Sequence, residues 1–150
     1  LPGPVGERNV YSLHPRGRIA ALAQTDAGLV LQIGAALATG NDVIVETGVP
    51  GWNALHSLPP SVAKRITAVV DWTNAGPLAG VLLEGDAMRV REVDRQAAEL
   101  PGALVPVHAL TADELARGAP DYPLHWLVEE CSISTNTAAA GGNASLMAIG

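Results

Sequence analysis

The sequence contains no phenylalanine, and its aromatics are three tryptophans and two tyrosines. A core built without large rings must close with small and branched aliphatics, which suits helices packed tightly on a buried sheet. It holds one cysteine, Cys131, so an internal disulfide framework and a cysteine-rich zinc site are both excluded. The acids Glu129 and Glu130 precede that thiol and disfavour the thiolate that a nucleophile needs. Lysine also occurs once, at Lys64, among nine basic residues against fifteen acidic ones. A net charge of −6 with no basic stripe argues against nucleic acid as a partner of this chain. No run approaches the roughly 20 apolar residues of a membrane-spanning helix. The opening Leu1-Pro2-Gly3-Pro4 has neither the basic start nor the apolar run of a secretion signal. It reads as the start of a segment cut from a longer chain in a reducing, cytoplasmic setting.

Ligand signatures are equally scarce. No GxGxxG follows a candidate strand, and the single lysine excludes a P-loop. The four histidines, His14, His56, His108 and His125, never stand at i, i+4, so no metal site is expected.

What is present is aliphatic: 25 Ala, 18 Leu, 15 Val and 6 Ile among 150 residues, 48% apolar in all. Only 16% are charged, below the usual quarter. That is one domain's length with ample material for a core. Short apolar runs alternate with helical patterns. Strands are expected at 19–23, 43–45, 66–70, 80–83 and 104–107, and near 9–13. The last of the apolar runs holds Pro106, which points to a sheet edge. Helices are expected near 27–39 and 86–100, capped by Asp26 and Asp86. The first should bury Val30, Ile33, Gly34 and Leu37, and the second Val90, Val93, Ala97 and Leu100. Thr111 to Glu114 has capping-box spacing for a last short helix. Alternating strands and helices imply a parallel sheet with right-handed crossovers. Glu46 and Glu84 each end an apolar strand. An acid there can hold a ribose hydroxyl, although a solvated acid at a strand end is the commoner outcome.

Residues 124–137 are rich in β-formers, and Leu124, Trp126, Val128 and Ile133 mark a candidate association arm. The following Thr137, Ala138, Ala139, Ala140, Gly141, Gly142, Asn143, Ala144, Ser145, Leu146, Met147 and Ile149 are small or apolar and uncharged. Ordering a residue costs about 1–2 kcal/mol of backbone entropy. Such side chains return little burial, so this tail needs a groove supplied from elsewhere, with Leu146, Met147 and Ile149 as anchors.

Two segments carry a family resemblance. Pro15-Arg16-Gly17-Arg18-Ile19-Ala20-Ala21-Leu22 and Ala35-Ala36-Leu37-Ala38-Thr39-Gly40-Asn41-Asp42-Val43-Ile44-Val45 resemble the start of the aldehyde dehydrogenase cofactor domain. The tail from Thr135 to Met147, with Leu1 to Asn9, resembles the C-terminus of the bacterial bifunctional proline-catabolic enzymes. Those enzymes join proline dehydrogenase to L-glutamate γ-semialdehyde (pyrroline-5-carboxylate) dehydrogenase.

The resemblance implies their accessory, aldehyde-dehydrogenase-superfamily-like domain. The family's oxyanion asparagine would lie in Gln24-Thr25-Asp26-Ala27, which has none. Its ribose-contacting Lys-Pro-x-Glu is replaced by Glu46-Thr47-Gly48-Val49. Asp26, Glu46 and Val49 are therefore degenerate positions, and neither catalytic nor cofactor-binding residues are expected. FAD and NAD belong, by resemblance, to the parent enzyme.

The implied fold is a degenerate Rossmann-like parallel α/β sheet with helices on both faces, plus a C-terminal β arm and an extended tail. The expected division is residues 1–123 for that domain (1–8 an extended lead-in), 124–136 for the arm and 137–150 for a docking tail. The implied role is structural: the tail docks on the catalytic domains of the same polypeptide and helps close the passage between the two active sites. Two other readings stand beside it, a nucleotide-binding module using Glu46 or Glu84, and a homo-oligomer formed through the arm. Membrane association of the parent, and a DNA-binding domain in it, stay open.

Overall fold

The structure, a computed structural model, describes residues 6–118 and 121–136. They fall into two compact units, one of Pro15–Glu129 and the other joining the stretch before residue 15 to that after residue 129.

The larger unit is a five-stranded sheet. β2 (Arg18–Leu22), β3 (Asp42–Glu46), β4 (Ile66–Val69), β5 (Gly80–Glu84) and β6 (Val107–Leu110) stand in the order β4-β3-β2-β5-β6. All four pairings are parallel, with Ala20 opposite Ile44 on one side and Val81 on the other. Helix α1 (Asp26–Ala38) joins β2 to β3, and the one-turn helices α2 (Trp52–Leu55) and α3 (Pro60–Ala63) precede β4. Helix α4 (Ala87–Ala98) joins β5 to β6, and α5 (Ala112–Ala116) follows with the expected capping box of Thr111 and Glu114.

Side chains of a strand alternate between its faces, and this splits the core in two. Ile19, Ala21, Val43, Val45 and Leu82 pack with Leu29, Ile33 and Ala36 of α1. Ala20, Leu22, Ile44, Val81 and Leu83 pack with Val93 and Ala97 of α4. Helices on both faces explain why β2, β3 and β5 are apolar without alternation.

Three expectations are corrected. Thr25, not Asp26, caps α1: its side chain accepts from Gly28 N, and Asp26 is the first helical residue. The buried face of α1 is Gly28, Leu29, Gln32, Ile33 and Ala36, while Val30 is 65% exposed and Leu37 half-buried. This helix is apolar nearly all round, so its period is weak. Its one long polar side chain, Gln32, is buried with its amide Nε2 donating to Tyr122 Oη at 2.9 Å and its Oε1 without a partner. The strand expected at 104–107 begins instead at Val107, and Leu104 is 93% exposed. Pro106 has no N–H for the ladder, although its carbonyl accepts from Val81 N at 2.9 Å. The edge position inferred from this proline holds, since β6 ends the sheet.

The smaller unit contains most of β1 (Glu7–Pro15) and β7 (Val128–Asn136), which form a two-stranded sheet. Tyr11 and Glu130 are hydrogen-bonded side chain to side chain. The β run expected from Leu124 starts only at Val128. Leu124–Leu127 form a 3₁₀ turn, Leu127 is buried in the α1-side core, and Trp126 stacks on His108 with centroids 4.2 Å apart. Burial of Leu127 and that stacking hold the turn in the larger unit. Of the four arm candidates, Val128 and Ile133 are on the strand, while Leu124 and Trp126 are not. The tail candidates, Thr137 to Ile149, lie outside the described residues.

Candidate functional site

In an open parallel sheet, ligands bind beyond the C-terminal ends of the strands, where the chain order reverses. Here that place lies between β2 and β5, at the start of α1. Three hydrogen-bond donors of the turn that leads into α1 are already engaged. Gln24 N and Thr25 N donate to Glu84 Oε2 at 2.7 and 2.8 Å, and Thr25 Oγ1 donates to Glu84 Oε1 at 2.8 Å. Glu84 is completely buried, which corrects the solvated strand-end acid. A charge in that position is tolerable because main-chain N–H groups and a helix N-terminus face it.

Gly28 completes the arrangement. A methyl at this position would lie 2.8 Å from Glu84 Cδ, so the carboxylate enters only over a bare Cα. Across the core, buried Tyr122 accepts from Gln32 and donates to Leu83 O at 2.9 Å, beside Glu84. Burial first, then the neighbouring Glu84 charge, push the phenol up to about 12, against the opposing Gln32 bond.

The other strand-end acid, Glu46, is half-buried and accepts from Trp72 N at 3.0 Å. It lines a cleft of about 580 Å³ with Asp71, Arg89, Arg95 and Glu99. Asp71 accepts from Thr73 and Asn74, and the Thr73 side chain chiefly holds its carboxyl below the usual range. Arg95 pairs with Glu92 and Glu99 at 2.8 and 2.6 Å. Arg89 Nε is buried without a partner. Val49 packs against the α1-side core, and Asp26 is exposed on the first turn of α1.

These residues do not fit a dinucleotide. The Glu84 carboxylate takes the N–H groups of Gln24 and Thr25 and stands where a phosphate would approach, and the cleft beside Glu46 presents three carboxylates with Arg95 already paired. The sequence signal for the Glu84 contacts was Thr25 followed by Gly28, three residues on, opposite an acid ending an apolar strand. No single element shows the pairing.

Of the four histidines, His108 and His125 both lie against Trp126. His14 bonds Ser12, His56 meets Trp52 edge-on, and His108 stacks on Trp126. Burial, then Arg16 and His125, push His108 below its usual value. No group of three metal-ligating side chains occurs among the described residues. Cys131 is half-buried on β7.

No protein-family model matches the chain. Its whole length is 54% identical, over 150 residues, to the bifunctional protein PutA of Rhizobium meliloti, of which it spans 12%. A solved structure of a Bradyrhizobium japonicum Proline Utilization A (PutA) mutant superposes with a TM-score of 0.57 at 27% identity. That match covers 74% of this chain and 13% of the other. A structure assigned as an aldehyde dehydrogenase from Burkholderia cenocepacia shares the fold, with a TM-score of 0.52 at 20% identity over 73% of this chain and 26% of the other. The chain is therefore homologous along its whole length to one segment of the bifunctional PutA proteins, and it shares its fold with an aldehyde dehydrogenase.

Proposed function

We propose that this chain is a non-catalytic structural domain of a cytoplasmic proline-catabolic enzyme. In this reading the parent joins proline dehydrogenase to an NAD-dependent L-glutamate γ-semialdehyde dehydrogenase, with FAD and NAD held outside this domain. The tail from Thr137 to Ile149 docks on the catalytic domains of the same polypeptide and helps close the passage between the two active sites. The observation that carries the reading is the reach of the similarity. It runs through all 150 residues, tail included, within 12% of a bifunctional relative. The engaged donors at Glu84 and the acid at position 46 support the absence of a cofactor site here. Small, uncharged tail residues allow close backbone approach without burying charge.

The test removes residues 137–150 from the full-length protein. A coupled assay from proline to NADH should slow or show a lag, while dye-linked proline oxidation continues at its normal rate. If both assays match the intact protein, the tail has no part in transfer between the sites.

A second reading concerns the ribbon of β1 and β7. Val10, Tyr11, Leu13 and Ile133 are 40–56% exposed on it, and a two-stranded sheet is marginally stable alone. These features favour the ribbon as an association surface between copies.

A further inference from the structure

The fold family implies a dinucleotide crevice at the start of α1, and the residues there disagree with it. We propose that the Glu84 carboxylate is a built-in substitute for a ligand's anionic group, occupying that crevice from within. Phosphates and carboxylates bind helix N-termini because free N–H groups and the helix dipole converge on them. Glu84 lies at such a terminus and takes, with its own oxygens, the N–H groups that lead into it. Its hydrogen bonds come from Gln24 N, Thr25 N and Thr25 Oγ1, all in the turn between β2 and α1. They are charge-assisted bonds to a completely buried group, heading a helix of thirteen residues.

Two further features belong to this arrangement. Thr25 Oγ1 donates to the carboxylate while accepting from Gly28 N at 3.0 Å, so one hydroxyl joins the anion to the first helical turn. Gly28 leaves the space that the carboxyl group fills. The crevice keeps the donors of an anion site, and β5 supplies the anion. This deepens the non-catalytic reading but does not depend on the tail.

The consequence is a latent anion site in a variant that lacks the carboxylate. In Glu84→Ala the two N–H donors lose their acceptor, and a small carboxylate can take its place. The experiment is amide hydrogen exchange of residues 24–29 in the full-length protein, with sodium formate titrated against sodium chloride at constant ionic strength. Glu84→Ala should exchange at least tenfold faster there than the parent. Formate should restore protection in a saturable manner, with inorganic phosphate as a second probe. Neither the parent nor Glu46→Ala should respond.

Glu84→Gln keeps the volume without the charge and should also exchange faster, which covers the case in which the alanine variant does not fold. The proposal is overturned if Glu84→Gln matches the parent, or if a folded Glu84→Ala ignores both anions. Deleting residues 137–150 should leave this exchange unchanged, so failure of the docking reading is distinguishable from failure here.

Discussion

Position 28 shows how one hydrogen atom decides a site. Replacing glycine by alanine inside a helix normally stabilises it by about 0.5–1 kcal/mol. At Gly34, where a Cβ meets nothing within 4 Å, that gain should appear. At Gly28 the same methyl would strike the Glu84 carboxyl. Urea unfolding should therefore show Gly34→Ala raising the midpoint and Gly28→Ala lowering it. Equal shifts of the same sign would mean that Glu84 can move aside freely. Tyr122 makes a second prediction, in pH. Its phenol titrates at 10.0 when free and near 12 when folded. The folded state favours the neutral phenol, so this stability is complete below pH 10 and is lost as pH rises towards 12. At most about 3 kcal/mol is involved. Tyr122→Phe should flatten the alkaline limb of the stability profile, while an unchanged limb would place the titration elsewhere.

Helices α1 and α4 differ in how plainly they announce their orientation. In α4, charged residues interrupt the apolar ones, so Val93 and Ala97 stand out and are buried as expected, while Val90 and Leu100 are half-buried. In α1 the face is decided by the burial of Leu29 and Gln32, one step round from the face centred on Val30. Ile33→Ala should cost about 2–5 kcal/mol, and Val30→Ala should be close to neutral. Denaturant unfolding separates the two, and a large loss at Val30 would reverse the assigned face. Asp86 caps α4 by accepting from Met88 N and Arg89 N at 3.0 and 2.9 Å. Asp86→Ala should lower stability by about 1 kcal/mol, and the conservative Asp86→Asn should recover most of it.

At the scale of the whole molecule, the two units raise separate expectations. Calorimetry on the 150-residue chain, free of the parent's own NAD site, should detect no NAD binding at micromolar concentrations. The carboxylates at positions 84 and 46 stand where a phosphate and a ribose would need other partners. Binding near micromolar affinity would revive the nucleotide-module reading. The β1–β7 ribbon is tested by light scattering on the full-length protein with Ile133→Glu. If copies associate through the ribbon, the charged variant should shift towards the smaller species; an unchanged mass would exclude Ile133 from the association surface.

The sequence by itself determined the alternation of strands and helices, and with it a parallel sheet covered on both faces. It also placed an acid at the end of β3 and of β5, because fully apolar runs and their polar stops are local properties. Its resemblance to aldehyde dehydrogenases anticipated the fold shared with that family. Tertiary structure alone decided what those acids do. Glu84 is sixty residues from Gln24 in the chain, and only the β2–β5 register brings its carboxylate to the turn that receives it. Gln32 and Tyr122 are ninety residues apart, and their bond lies on the side of α1 that faces inward with Leu29, Ile33 and Ala36. Trp126 reads as a β-former by type, yet its neighbour Leu127 is needed in the core, so the strand starts after them. Periodicity reports which residues prefer burial, whereas the choice among several apolar faces rests on distant partners that no local pattern encodes.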